Sequence, residues 1–393
     1  MEPGETSGTS DPSRRVPLRA IVRSWLRLGI TGFGGPQAHV VLLRQLVVER
    51  QGWIPADEFE HAVATTNLLP GPASTQLAIY CAWRLRRATG ALVGGVCFIL
   101  PGLALIIAAS AAVLASGAPS WVLGAALGAG AVVPAIALRA GMDLVIPSFK
   151  RSRSLKGATA RWSLWLLIGL VATVTIGPAL VLALLGCGAA ELAFERWRRR
   201  AVPGSLGLFV PALATSWATS IPLAWTALKV GALSFGGGFV IIPLMQSDAV
   251  HRYHWMTSSQ FLTGVALGQL TPGPVVQTVA VVGYAAGGFF AAVLAAVIAF
   301  APSFAFVILG GPSFERLRHS IDAQAFLAGA GPAAIGAIAG TAVLLGLDLS
   351  RLWQLPVLVG AALWLLIARR STTIMLLVGA VLGIGAAACG LPI

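Results

Sequence analysis

The sequence predicts an all-α, polytopic membrane protein of about 13 transmembrane helices (6+1+6), built from two homologous halves of inverted topology with broken helices. Three observations predict it. Apolar stretches long enough to span a bilayer recur along the chain, a set of Gly and Pro motifs returns at a spacing of 202 residues, and Lys and Arg alternate between loops with opposite phase in the two halves.

Only 10% of the 393 residues are charged and 57% are hydrophobic, with a mean hydropathy of +0.84. Soluble domains carry about 25% charged residues, so most of this chain must face lipid or other helices. Gly90 to Ser116, Trp121 to Ile146 and Phe289 to Gly310 each reach the roughly 20 residues that a helix needs to cross the bilayer core. Forty-six Gly and 23 Pro are tolerable here, because membrane helices pack closely through small residues and neighbours re-satisfy freed backbone groups. The net charge of +13 does not mark a nucleic-acid partner, since the basic residues punctuate gaps between apolar spans. Cys81, Cys97, Cys187 and Cys389 are scattered without paired spacing, so no metal, disulfide framework or cofactor is expected.

Residues 1–17 read as a polar cytoplasmic tail without a cleavable signal, and the first repeat runs over 18–201. Its opening Gly29-Ile30-Thr31-Gly32-Phe33-Gly34-Gly35 aligns with Gly231-Ala232-Leu233-Ser234-Phe235-Gly236-Gly237. The register holds through Arg50 and Arg252, Trp53 and Trp255, then Pro70-Gly71-Pro72 and Pro272-Gly273-Pro274; further on, Pro101 matches Pro302 at an offset one smaller. Charge then orients the halves. Arg84, Arg86 and Arg87 follow the first Pro-Gly-Pro span, whereas Gly283 to Gly288 is uncharged; in the next loop, Gly117 to Ser120 is neutral and its counterpart holds Arg316 and Arg318. Equivalent loops therefore fall on opposite sides of the membrane. Inversion needs an odd number of crossings between equivalent points, and the connector 202–222, apolar from Gly204 to Pro222, supplies one before the second repeat, 223–393. The amino terminus is then expected in the cytoplasm of a bacterial inner membrane and the carboxyl terminus in the periplasm. Two crossings must share Trp162 to Phe194, the tightest place in this scheme.

Each half opens with a helix interrupted at Phe-Gly-Gly and another interrupted at Pro-Gly-Pro. Such breaks free backbone N–H and C=O groups that lipid cannot satisfy. When they pair in inverted repeats, the half-helix amino termini converge and aim positive dipole ends at an anion. The plainer reading is that glycines permit close approach and prolines kink, but four symmetric breaks favour a site. Phe33, Gly34, Gly35, Pro70, Gly71 and Pro72 line up there with Phe235, Gly236, Gly237, Pro272, Gly273 and Pro274. Asn67 and Gln269 precede the Pro-Gly-Pro motifs by three residues, and Gln76, Gln277 and Thr271 stand close by; their amides and hydroxyl are candidate contacts, with helix bridging as the alternative. Arg27 and Lys229 match across the repeat and form a symmetric basic pair able to attract the anion. His39, and Arg139 with Asp143 four residues on, are candidates for coupling to a driving ion, although Arg139 and Asp143 can also simply pair with each other. Asp57, Glu58 and Glu60, matched by Thr257 to Gln260, read as helix-start chemistry.

These motifs, Gly29-Ile-Thr-Gly-Phe33-Gly-Gly-Pro36, Leu69-Pro-Gly-Pro72, Phe235-Gly-Gly-Gly238 and Thr271-Pro-Gly-Pro274, together with the duplication, resemble the chromate ion transporter family in its long, two-domain form. The resemblance implies export of chromate from the bacterial cytoplasm, hence chromate resistance, by a secondary transporter drawing on ion gradients. It also carries the paired motif residues over as substrate contacts. Pro36 stands opposite Gly238, a departure that makes the two breaks unlike in backbone path. Sulfate, molybdate or a small organic anion present the same problem to a binding site, a tetrahedral dianion having nearly one geometry whatever its central atom. The partners expected are that oxyanion and the lipid bilayer, with a homodimer left open. An intramembrane enzyme acting on a lipid phosphate is the rival class, but no His-Glu-x-x-His, Gly-x-Ser-x-Gly or carboxylate cluster is present to serve it.

Overall fold

The computed structural model describes residues 16–66, 71–115, 118–152, 158–176, 180–199, 220–234, 241–310 and 320–392. The candidate span between the halves, the second Phe-Gly-Gly break and the basic loop holding Arg316 and Arg318 lie outside them, as do Asn67 and Pro70.

Within the first half the chain forms α1 (Leu18–Thr31), α2 (Gly35–Arg44) running on into a π-helical turn (Gln45–Arg50), α3 (Ala56–Thr66), α4 (Ala73–Leu114), α5 (Ser120–Ser152), α6 (Ala158–Ile176) and α7 (Leu180–Arg199). The second half repeats the order with α8 (Ser220–Ala232), α9 (Ile241–Gln246) with its π-helical turn (Ser247–Arg252), α10 (Ser258–Leu270), a 3-10 turn (Val275–Thr278), α11 (Val279–Gly310), α12 (Ile321–Leu347), α13 (Gln354–Ala362) and α14 (Thr372–Ala388). Among the described residues four helices are long and apolar enough to cross a membrane, Ala73–Leu114, Ser120–Lys150, Val275–Gly310 and Ile321–Leu347, and shorter apolar helices accompany them. Trp162 to Phe194 does hold two helices, α6 and α7, as the crowding there required.

Why these segments assemble follows from their faces. Leu92, Val96 and Leu100 on α4 are half exposed at helical spacing, and Val297, Leu182 and Val381 stand out further, which only a lipid surround makes tolerable. The inward faces are rich in Gly and Ala, as expected where dispersion and close approach replace the hydrophobic effect as the force between helices. A Cβ on Gly336 would sit 1.8 Å from the Leu166 carbonyl oxygen, so α12 and α6 touch backbone to backbone.

The repeat recurs in the packing. α1 lies on α4 with Gly29 against the Phe98 carbonyl and the Trp25 indole donating to the Ala78 carbonyl at 2.9 Å, while α8 lies on α11 with Gly231 against the Ala299 carbonyl. Both π-turns close alike, Trp53 N–H donating to Val47 and Trp255 N–H to Ala249, each at 2.8 Å. Repeat-related helices also meet each other running antiparallel. Gly141 of α5 abuts Ile338 of α12, and seven residues further along α5 Ser148 faces Gly331, seven residues back. Likewise Gly95 of α4 lies on the Phe304 ring while Ala91 clusters with Val307.

Two expectations are refined. The basic stretch Arg84 to Arg87 is a corner inside one helical run, with only Arg86 and Arg87 leaving helical geometry, and Gly287 and Gly288 turn the equivalent corner in α11. The two helix starts also differ: Thr257 and Gln260 form a reciprocal capping box at α10, whereas Glu58 and Glu60 in α3 pair with Arg84 and Arg44.

Candidate functional site: a cavity at three helix amino termini

Phe-Gly-Gly stops α1 at Thr31 and restarts the chain as α2 at Gly35, with Gly34 at φ 99° and Gly35 at φ 75°. Those positive angles are where a side chain is strained, so glycine is what the break requires. Pro-Gly-Pro acts similarly: Gly71 is at φ 119° and Gly273 at φ 107°. After Pro72 the α4 helix begins at once, but after Pro274 a 3-10 turn precedes α11. The one-residue shift in repeat offset falls here, since Gln76 and Gln277 take equivalent posts three and two residues beyond that start. A 3-10 turn rises about 2.0 Å per residue against 1.5 Å, so fewer residues reach the same post.

The breaks of opposite halves meet. Gly273 N–H donates to the Gly32 carbonyl at 3.0 Å, joining the second Pro-Gly-Pro to the first Phe-Gly-Gly, and Gly71 lies beside the Gly231 carbonyl, just ahead of the second Phe-Gly-Gly. Each motif amide folds over its own glycine, Gln76 against Gly71 and Gln277 against Gly273. Gln277 Nε2 donates to Thr271 Oγ1 at 2.9 Å and to the Pro272 carbonyl at 3.0 Å. His39 is fully buried, its Nε2 2.9 Å from the same Gly32 carbonyl, its Nδ1 3.3 Å from Ser74 Oγ and its ring edge-on to Phe98. It fastens the first Phe-Gly-Gly break to the first turn of α4.

Beside this junction is a cavity of ≈ 160 Å³, lined by Gly34, by Gly35, Pro36 and Gln37 of α2, Ala73 of α4, Ile136, Arg139, Ala140, Asp143 and Leu144 of α5, Gln269 of α10, and Thr372 and Thr373 of α14. That is room for about five waters at ~30 Å³ each, or one small oxyanion with part of its hydration. Three helices, α2, α4 and α14, begin at its wall, and none has a side-chain cap. Their first-turn N–H groups, left unsatisfied by the helix itself, and their positive dipole ends therefore favour an anion. Gln269 lines the cavity, and its Nε2 is buried without a hydrogen-bond partner among the described residues. Arg139 donates through Nε to both Asp143 oxygens at 3.0 Å and through Nη1 to the Leu365 carbonyl at 2.6 Å. The pair anticipated from the sequence forms, and it forms at the cavity wall.

Of the residues named from sequence, Gly34, Gly35, Gln269, Arg139 and Asp143 share this cavity. Gly71, Pro72, Thr271, Pro272, Gly273, Pro274, Gln76, Gln277 and His39 build the junction of the breaks behind it. Phe33 is exposed, and Arg27 sits on the outer face of α1 among exposed Val22, Leu26 and Ile30. Lys229 is not free to meet an anion: its ammonium pairs with Asp248 on the π-turn after α9, a carboxylate fully buried. Asn67, Pro70, Phe235, Gly236 and Gly237 lie outside the described residues. Sequence reasoning missed Asp248, Ser74 and the α14 start at Thr372, none of which belongs to a repeated motif.

Comparison with known proteins accords with this architecture. The pattern of the chromate transporter family matches residues 19–192 and 221–384, one copy for each half. A chromate transport protein of Cupriavidus metallidurans is 32% identical over 361 residues, covering 88% of this chain and 87% of that one. A probable chromate transport protein of Synechococcus elongatus is 30% identical over 84% of each chain, and a chromate transport protein of Pseudomonas aeruginosa is 31% identical over 81% of this chain and 79% of its own. No solved structure matches the fold. A multi-pass helical membrane protein matched by that pattern in both halves, this chain belongs to the chromate transporter family and is a secondary transporter rather than an enzyme.

Proposed function

We propose that this protein exports chromate from the bacterial cytoplasm, conferring chromate resistance, and that the oxyanion binds in the cavity where α2, α4 and α14 begin. The observation that carries the reading is the convergence of three uncapped helix amino termini on one small space, whose wall Gln269 and the Arg139–Asp143 pair share. Fixed N–H dipoles hold a dianion without burying a full countercharge, which suits a site that must release its ligand again. The relatives' names favour chromate; the geometry serves sulfate equally, and sulfate is the second reading.

The arrangement we propose around the site is the inverted one, repeats 18–201 and 223–393 joined by a span within 202–222, 13 crossings in all, with the amino terminus in the cytoplasm. Antiparallel contact between α5 and α12, and between α4 and α11, supports it, because helices related by inversion must cross the membrane in opposite senses. Rocking of one half against the other about the joined breaks would expose the cavity to each side in turn.

The test is chromate accumulation in cells expressing the intact protein, Arg139→Gln, Gln269→Ala or an empty vector at matched membrane levels, with sulfate varied. Lower intracellular chromate with the intact protein, lost in both variants, is the expected result. Accumulation that matches the empty vector while sulfate flux changes would move the assignment to sulfate.

A further inference from the structure

A run of arginines that the cavity does not use lies along one edge of the first half. Arg19, Arg23 and Arg27 recur every fourth residue on α1, and all three are exposed. They form a stripe about 12 Å long by the rise of an α-helix. None of their side chains has an ion pair or hydrogen bond among the described residues. Beside them runs a second stripe, Leu18, Val22, Leu26 and Ile30, each more than a third exposed. The corner in α4 extends the basic stripe: Arg86 Nε donates to the Val16 carbonyl, three residues before Arg19, and Arg87 is exposed over the Trp83 ring. Glu58 offers no relief there, since Arg84 holds it through both carboxylate oxygens.

The second half builds the same edge without these charges. At the repeat offset of 202, Ile221, Trp225 and Lys229 stand where the first half has Arg19, Arg23 and Arg27; the first two are exposed and apolar, and Lys229 is paired inward with Asp248. The corner there is Gly287 and Gly288, followed by exposed Phe289 and Phe290. Helix and corner therefore form without arginine, and the stripe is not a requirement of the shape. An unpaired guanidinium beside aliphatic side chains on a lipid-facing surface is costly unless an anion meets it.

We infer that the outer face of α1 and the α4 corner form a docking surface for anionic phospholipid, with headgroup phosphates held by Arg19, Arg23, Arg27 and Arg87 and acyl chains laid along Leu18, Val22, Leu26 and Ile30. Arginine presents its N–H donors in a fork that matches two phosphate oxygens. Its long stem lets guanidinium groups at different heights on the helix reach one headgroup layer. The two stripes stand about 100° apart round the helix, one charged and one aliphatic, like the two parts of a phospholipid. A free phosphate would use only the first stripe, and a second copy meeting the same face would set arginine against arginine. Zwitterionic lipid also carries the phosphate, but its own ammonium offsets the charge, so an anionic headgroup is favoured. None of these residues lines the cavity, and the inference stands apart from which oxyanion is transported.

The experiment is native mass spectrometry of the full chain in detergent, offered phosphatidylglycerol and phosphatidylcholine of matched acyl chains at equal concentration. One arginine beside an anionic headgroup is worth a factor of about 5, so a preference for phosphatidylglycerol of at least that size is expected in the native protein. It should fall to parity in Arg19→Gln/Arg23→Gln/Arg27→Gln and persist in Arg19→Lys/Arg23→Lys/Arg27→Lys, which keeps the charge. A control, Arg50→Gln/Arg369→Gln/Arg370→Gln, removes as many exposed charges elsewhere and should keep the preference. Equal retention of both lipids by the native protein, or an equal loss in the stripe and control variants, overturns the inference. Displacement of the bound phosphatidylglycerol by an equal concentration of inorganic phosphate also overturns it, because a lipid held by both stripes outcompetes an anion that meets only one. No chromate is present, so the outcome does not depend on the proposed substrate.

Discussion

The corner in α4 and the corner in α11 have nearly the same backbone and opposite chemistry. Arg86 and Arg87 stand at φ −146°, ψ 26° and φ 51°, ψ −142°; Gly287 and Gly288 stand at φ −168°, ψ 26° and φ 73°, ψ −156°. Glycine adopts the second conformation freely, whereas Arg87 holds it at a cost of order 1–3 kcal/mol. Arginine persists because it has other uses: Arg86 Nε donates to the Val16 carbonyl at 3.0 Å, and the Arg87 guanidinium lies 4.7 Å from the centre of the Trp83 ring. Helix packing thus dictates the shape of the corner in both halves, while the residues at it differ in charge and in what they contact. The same division separates exposed Arg27 from buried Lys229.

That contrast can be broken or sharpened by variants of the two halves measured side by side, by unfolding in detergent. The largest gap is expected between Lys229→Met, which strands the buried Asp248 charge and should cost about 3–5 kcal/mol, and Arg27→Met, which should leave unfolding unchanged. Equal losses would mean that Arg27 too has a buried role. Next comes Gly231→Ala, whose Cβ would lie 1.9 Å from the Ala299 carbonyl, against Gly29→Ala, 2.6 Å from the Phe98 carbonyl. Backbone cannot step aside, so Gly231→Ala should cost about 3 kcal/mol and Gly29→Ala clearly less. At the corners the signs should oppose: Gly288→Ala loses about 1 kcal/mol, while Arg87→Gly gains up to about 1 kcal/mol, relief of strain exceeding the lost cation–π contact. Smallest is the pair of helix starts, where Thr257→Ala dismantles a capping box at about 1 kcal/mol and Glu60→Gln, breaking an exposed ion pair with Arg44, costs a few tenths.

Several features of the fold were legible because their signals are local or periodic. The apolar runs, the repeat at 202 residues and the Gly and Pro breaks depend on neighbours in sequence, and the helices duly stop at Thr31, restart at Gly35 and break around Gly71 and Gly273. Gln269 and the Arg139–Asp143 pair were also readable, the first by its place beside a repeated motif, the second by its spacing of four on a helix. The opposite fates of Arg27 and Lys229 were not. Their positions match, and what separates them is a carboxylate 19 residues further on, at a site where the first half carries leucine.

By itself, then, the sequence determined a helical membrane protein of the chromate transporter family, duplicated, with glycine where the backbone enters positive φ at Gly34, Gly35, Gly71 and Gly273. Those properties follow from hydropathy, periodicity and the conformational range of single residues. Only the tertiary structure decided which broken ends come together, that α14 completes the cavity begun by α2 and α4, and that one basic residue of the matched pair is neutralised while the other is exposed. Such outcomes depend on contacts between segments far apart in the chain, and the charge of a buried group is settled by the neighbour it meets there.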